Sequence, residues 1–100
     1  MGKIWLVEGA HWNVPGNPLT AHATRESADR KAAELVNIMC AEIGTPGCRA
    51  PDQWAEALAG VHKARWCRAG EDPAAFEAAY DAGDVDTDCW VEVSELDLIP

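Results

Sequence analysis

The spacing of apolar positions changes several times along this chain, and each change marks an element. Over residues 3–8, Ile4 and Leu6 alternate with Trp5 and Val7, so a period of two with apolar residues on both sides predicts a strand buried on both faces. Gly9 ends it. Residues 10–23 contain Asn13, Pro15, Gly16, Asn17 and Pro18, which is loop chemistry, with His11–Val14 a candidate for a short second strand. From Thr24 the period becomes helical: Ala28, Ala32, Leu35, Val36, Met39 and Ile43 fall on one face, and Arg25, Asp29, Arg30 and Glu34 occupy the rest. Thr24 is the expected N-cap, Gly44 the left-handed stop, and Pro46 prevents resumption.

A second helix is expected from Pro51, with Trp54, Leu58 and Val61 on its buried side, running to about Cys67 and ending by Gly70. Residues 64–68 also fit a short strand. A short third helix follows, capped by Asp72, opened by Pro73 and closed by Gly83, with Phe76, Ala79 and Tyr80 inward. The last element is a strand over residues 89–99. Val91 and Val93 share a side, then Leu96 and Leu98 lie on the other, so the apolar phase switches at Ser94–Glu95 and predicts a bulge or two short strands. The order is β-α-α-α-β. This is an α+β fold in which a small sheet of the N- and C-terminal strands packs on two to three helices, the sheet holding residues 3–8 and 89–99 against the helix at 24–43.

A length of 100 residues fits one compact domain over 1–100, large enough to bury a core without metal or disulfides. No apolar run approaches the ~20 residues a membrane span needs, and the four apolar residues at 4–7 are too few for a secretory signal, so the cytoplasm is the expected compartment.

The chemistry-bearing residues are scattered. Cys40, Cys48, Cys67 and Cys89 include no C-x-x-C pair, and His11, His22 and His62 do not complete a zinc spacing, so reduced thiols and no metal are expected. His11 and His22 fall in the Pro/Gly-rich stretch, where solvated side chains are expected. Asp84, Asp86 and Asp88 begin like an EF-hand loop and Glu95 stands at its twelfth position. However, Cys89 replaces the glycine of the sixth, and the segment from Trp90 reads as strand. No Gly-rich phosphate loop, G-x-S-x-G or H-E-x-x-H occurs. No cofactor and no catalytic residue is assigned. Of five tryptophans, Trp5, Trp54 and Trp90 fit core positions. Trp12 and Trp66 fit less well and are candidate interface residues, Trp66 beside Arg65 and Arg68.

Charge changes the picture most. The net charge is −9, yet residues 1–70 are near neutral. Residues 71–100 contain no Lys or Arg and ten acids: Glu71, Asp72, Glu77, Asp81, Asp84, Asp86, Asp88, Glu92, Glu95 and Asp97. Such a segment keeps a protein soluble, and it also offers a docking surface for a basic partner. It repels phosphate backbones, so direct nucleic-acid binding is disfavoured. The candidate partner-binding residues are Asp81, Asp84, Asp86, Asp88, Glu92 and Glu95, with Trp12 and Trp66.

The strand Lys3–Glu8, the Thr-capped Ala-rich helix Thr24–Leu35 and the acidic closing strand Trp90–Leu98 together resemble a loose class of small acidic proteins of phages and mobile elements, some of them anti-CRISPR inhibitors. The resemblance covers about a third of the chain, and that class has no shared motif, so it carries over no residue roles. It implies a non-catalytic module that docks on the basic surface of a protein, such as a nucleic-acid-binding effector of bacterial defence. Two other classes fit the residues: a self-associating accessory protein whose Trp-rich faces form a homodimer, and a small metal-binding or catalytic protein using Cys and His.

Overall fold

The computed structural model of the chain describes residues 2–11, 17–83, 85 and 89–97. Its elements are β1 (Lys3–Ala10), β2 (Leu19–His22), α1 (Arg25–Ile43), α2 (Trp54–Arg68), α3 (Phe76–Asp81) and β3 (Trp90–Asp97), with 3-10 turns at Pro51–Gln53 and Pro73–Ala75 leading into α2 and α3. The three strands form one antiparallel sheet in the order β2-β1-β3. This is the α+β fold expected, with the terminal strands paired and the helices between them.

The helix α1 forms where the sequence places it, because its ends are chemically closed. Thr24 is extended (φ −134°, ψ 153°) and its hydroxyl accepts the Ser27 N–H at 3.1 Å. Gly44 takes the left-handed conformation (φ 83°) and donates its N–H to the Cys40 carbonyl at 2.8 Å. The apolar stripe of α1 lies across the sheet: Ala28, Ala32, Val36, Met39 and Ile43 are buried, with Ala33 and Cys40 beside them. They join Val7, Val91, Cys89, Leu58 and Val61 in one core. Full burial of side chains the size of Val36, Met39 and Ile43 stabilises by roughly 1.5–3 kcal/mol each. The second helix is continuous through 64–68, so that stretch is helix rather than strand. Arg68 donates from Nη2 to the Ile43 carbonyl at 3.2 Å, tying the last turn of α2 to the end of α1.

Four expectations are corrected. The first is a missing strand: Leu19–His22 lies in the segment read as loop, yet pairs with β1 from Trp5↔His22 to Glu8↔Leu19. Its inward side chains, Thr20 and His22, are polar and hydrogen-bonded to each other (Oγ1 to Nε2, 2.8 Å), so no hydrophobic alternation announces it.

The second correction is that β3 has no bulge. Its register with β1 runs unbroken from Lys3↔Asp97 to Ala10↔Trp90. The apparent phase switch arises because Ser94, Glu95, Leu96 and Asp97 are all exposed, Leu96 at 48%, so neither face there is selected for apolar residues.

The third is that the sheet is covered by helix on one face only. Alternation puts Trp5, Val7, Gly9, Val91 and Val93 toward α1, and Ile4, Leu6, Leu19, Trp90 and Leu96 on the opposite face. Ile4, Leu6 and Trp90 are half-buried and Leu19 is 59% exposed, so only one side of β1 is core. Trp5 and Trp54 pack against the core as half-buried rings, whereas Trp90 lies outside it.

The fourth is that His11 and His22 are not simply solvated. The His11 side chain is 8% exposed with Nε2 3.0 Å from Glu42, and His22 Nδ1 lies 2.8 Å from Ser27 Oγ.

Gly9 sets the depth at which α1 meets the sheet. A Cβ there would stand 3.1 Å from the Trp90 carbonyl oxygen and 3.3 Å from Leu35 Cδ1. Gly9→Val is therefore expected to destabilise the fold by about 1–3 kcal/mol through overpacking. The check is the urea midpoint at unchanged slope, and an unshifted midpoint would contradict the close approach.

Candidate functional site

The acidic segment is the feature singled out by sequence, and the structure separates its members. Asp84, Asp86, Asp88 and Trp12 lie outside the described residues. Glu71 and Asp72 stand in the turn before α3, Glu77 and Asp81 on α3, and Glu92, Glu95 and Asp97 on β3, all seven exposed. Among the described residues, one of these seven has an ion pair: Glu95, with Lys3 of β1. The acids of α1 are arranged differently. Arg25 holds Asp29 at 2.9 Å, Lys31 holds Glu34 at 3.3 Å, Arg30 reaches Glu26 at 3.9 Å and His11 stands by Glu42. The four-residue and three-residue helical spacings put those partners side by side. The C-terminal third contains no Lys or Arg of its own, and the seven described acids face solvent. Glu95 lies in mid-strand, so the segment from Trp90 does not form the loop that an EF-hand needs at its twelfth position.

Trp66 is half-buried. Its Nε1 donates to the Asp72 carbonyl at 2.8 Å, and its ring meets Phe76 edge-on at 6.0 Å. Phe76 in turn stacks on Tyr80 at 4.9 Å. Trp66 thus holds the turn into α3 against the end of α2, and its polar atom is used within the chain.

The site that sequence reasoning passed over is His62. It sits one helical turn after Leu58 and beside Val61, on the buried side of α2, and is 6% exposed. Its Nε2 lies 2.8 Å from the Cys89 carbonyl and its Nδ1 lies 2.7 Å from the Tyr80 hydroxyl. A carbonyl only accepts, so Nε2 carries the proton. In the neutral ring Nδ1 then accepts from the Tyr80 O–H. One side chain therefore joins α2, α3 and the residue that leads into β3. Its spacing on an apolar face was the available signal. Burial, and secondarily the neighbouring Cys89, push the Tyr80 hydroxyl above its ordinary pKa.

The thiols occupy different environments. Cys40 and Cys89 are buried, Cys48 is half-buried and Cys67 exposed. Burial and then the nearby Cys40 push the Cys48 thiol up, against its own backbone hydrogen bond, so it is protonated at neutral pH and is not an activated nucleophile. Cys48 borders a groove of about 290 Å³ between the α1–α2 loop and α2, with Thr45, Arg49, Gln53 and Glu56 around it. A smaller apolar slot of about 100 Å³ opens beside Gly9, Leu35 and Ile38. Among the described residues, no group of three or more His, Cys, Asp and Glu side chains is arranged to hold a metal ion. No helix among them is long and apolar enough to cross a membrane.

Fold and surface together define a small α+β domain with a three-stranded sheet covered by helix on one face and, among the described residues, a C-terminal third in which one of seven acids is ion-paired. Comparison with protein-family models, with curated proteins and with solved structures finds no match to this chain.

Two outcomes are expected at the His62 junction. Replacing His62 by Leu leaves the Cys89 carbonyl and the Tyr80 hydroxyl without their partner and should cost about 1–3 kcal/mol, read from denaturant unfolding. A cost no larger than that of an exposed substitution such as Lys63→Leu would contradict the arrangement. The second outcome concerns pH. A hydroxyl whose folded pKa is raised stabilises the fold below its unfolded value, 10.0, and that contribution is lost as pH rises through the folded value. Wild type should therefore lose stability more steeply above pH 10 than Tyr80→Phe does, and parallel curves would refute it.

Proposed function

We propose that this domain is a non-catalytic protein-binding module that docks the acidic surface of its C-terminal third on a basic surface of a partner protein. The observation that supports the reading is the contrast in pairing. The acids of α1 have cationic or histidine neighbours within ion-pair distance, whereas of the seven described acids beyond residue 70 only Glu95 has one. Carboxylates left in solvent cost nothing to keep and remain available to Lys and Arg of another molecule. Their summed field speeds encounter with a basic surface and orients it.

The partner chemistry that fits best is the basic channel of a nucleic-acid-binding effector. Such a channel presents Lys and Arg spaced to meet phosphates, and carboxylates accept from the same donors. In this reading the domain acts as an inhibitor of phage or mobile-element type, occupying a channel of bacterial defence machinery in place of nucleic acid. A second reading, self-association, draws support from the face of the sheet away from α1, where Ile4, Leu6, Leu19 and Leu96 form an apolar set with two strongly exposed members.

The test uses purified effectors with basic channels, wild-type domain, and the variant Asp81→Lys/Glu92→Lys/Asp97→Lys, which leaves the Lys3–Glu95 pair in place. Wild type is expected to compete with the effector's nucleic acid. The variant should associate about tenfold or more slowly at low salt, with the difference narrowing as salt rises, because screening acts beyond roughly 8–10 Å. Equal association rates for the two proteins at every salt concentration would overturn the reading. Dimerisation by light scattering, abolished by Leu96→Lys, would favour self-association instead.

A further inference from the structure

Beyond Cys89, no described residue pairs with the outer edge of β3, and one hydrogen bond shows which of its backbone groups point outward. The Gly9 N–H donates to the Pro18 carbonyl at 3.1 Å, on the β2 side of β1. Successive residues of a strand aim their N–H and C=O groups to opposite sides. Lys3, Trp5, Val7 and Gly9 therefore bond toward β2, and Ile4, Leu6, Glu8 and Ala10 toward β3. Their register partners are Leu96, Ser94, Glu92 and Trp90. The intervening residues, Val91, Val93, Glu95 and Asp97, must aim their N–H and C=O groups away from the sheet. Cys89 has the same parity, and its carbonyl is the one that His62 Nε2 takes at 2.8 Å. Beyond that point no described residue bonds to the outward backbone groups of these four positions.

Edge strands are usually guarded by a proline, a bulge, a lysine or a covering element. The eight residues WVEVSELD contain no proline and no lysine, and the pairing with β1 is unbroken. Their guard is negative charge. A second copy laid antiparallel on this edge would add its own exposed Glu92, Glu95 and Asp97 to the three already there, on two proteins that each carry −9. Like charges opposite one another destabilise a strand pair, and opposite charges stabilise it. The edge therefore rejects a copy of itself and admits a basic strand.

We infer that the outer edge of β3 receives an extended basic segment of a partner protein as a fourth strand of the sheet. The inference rests on the acidic-docking reading and specifies how docking occurs. Val91 is buried beside the His62 junction, so backbone hydrogen bonds to Val93, Glu95 and Asp97 supply affinity, and alternate side chains supply selection. Opposite Asp97, Leu96 and Glu95 the incoming strand meets an acid, an exposed apolar side chain and an acid. The preferred tripeptide is basic, apolar, basic. Lys3 already holds Glu95, so Asp97, which has no cation among the described residues, is the stronger attractor on that face.

The probes are an acetylated eight-residue peptide of alternating Lys and Val, and the same sequence N-methylated at every amide, which keeps the charge and loses the strand donors. The readout is residue-resolved amide exchange by NMR on the intact chain. The unmethylated peptide is expected to slow exchange at Val93, Glu95 and Asp97 by about tenfold or more, with Glu92, Ser94 and Leu96 little changed and the methylated peptide inactive. Glu95→Pro removes an outward N–H without touching the ladder to β1, and it should abolish peptide binding where Glu95→Gln only weakens it.

Equal, salt-dependent binding of both peptides without this protection would overturn the edge and leave acidic docking standing. No binding of either peptide would overturn both. Protection that grows with protein concentration alone, together with a dimer in light scattering, would assign the edge to a second copy and overturn the basic partner. Equal binding by the Pro and Gln variants would also count against the edge.

Discussion

The seating of α1 on a single face of a three-stranded sheet is the constraint from which the rest of this domain follows. Small residues permit it: Ala28 and Ala32 are fully buried on the helix, and Gly9 on the central strand lies against Leu35 and the Trp90 carbonyl, where a Cβ would crowd both. Close approach places Val36, Met39 and Ile43 among Val7, Val91, Leu58 and Val61, and this core is the main apolar burial in the domain. One helix covers one face of the sheet. The opposite face keeps Leu19 and Leu96 in solvent, and the last four residues of β3 are exposed. With α1 seated on one face, the opposite sheet surface and the far end of the β3 edge remain accessible among the described residues.

The His62 junction explains how the C-terminal third is attached. α3 has six residues, too few to be stable alone. It is held by Phe76 and Tyr80 stacking, by the Trp66 indole bonded to the Asp72 carbonyl, and by Tyr80 bonded to His62. The same imidazole takes the Cys89 carbonyl, so β3 enters the sheet from a position fixed by α2. The acids on α3 and β3 thus stand on elements anchored at one buried side chain, while their carboxylates face outward.

Much of this was legible from spacing and end chemistry. Thr24, Gly44, Asp72 and Gly83 bracket helices as their types dictate, because capping depends on local backbone groups and needs no tertiary context. What escaped the pattern did so for identifiable reasons. β2 turns Thr20 and His22 inward, and that pair is satisfied by hydrogen bonds rather than by apolar contact. The phase switch in β3 mimicked a bulge because Leu96 lies beyond the cover of the helices, where alternation carries no information about burial. His62 looked unremarkable in sequence because its partners, Tyr80 and Cys89, are 18 and 27 residues away. The charge asymmetry was visible at once. That Glu26, Asp29 and Glu34 are paired within α1, whereas one of the seven described acids beyond residue 70 is paired, needed the geometry of each ion pair.

A free, acid-lined edge on β3 leaves a signature in the isolated domain, which amide hydrogen exchange on the free chain at low protein concentration reads residue by residue. The amides of Glu92, Ser94 and Leu96 bond to β1 and should exchange slowly. Those of Val93, Glu95 and Asp97 should exchange faster by about tenfold or more, giving an alternating pattern along one strand. Uniform protection of all six amides would mean that the edge is already occupied within the chain and would contradict the account.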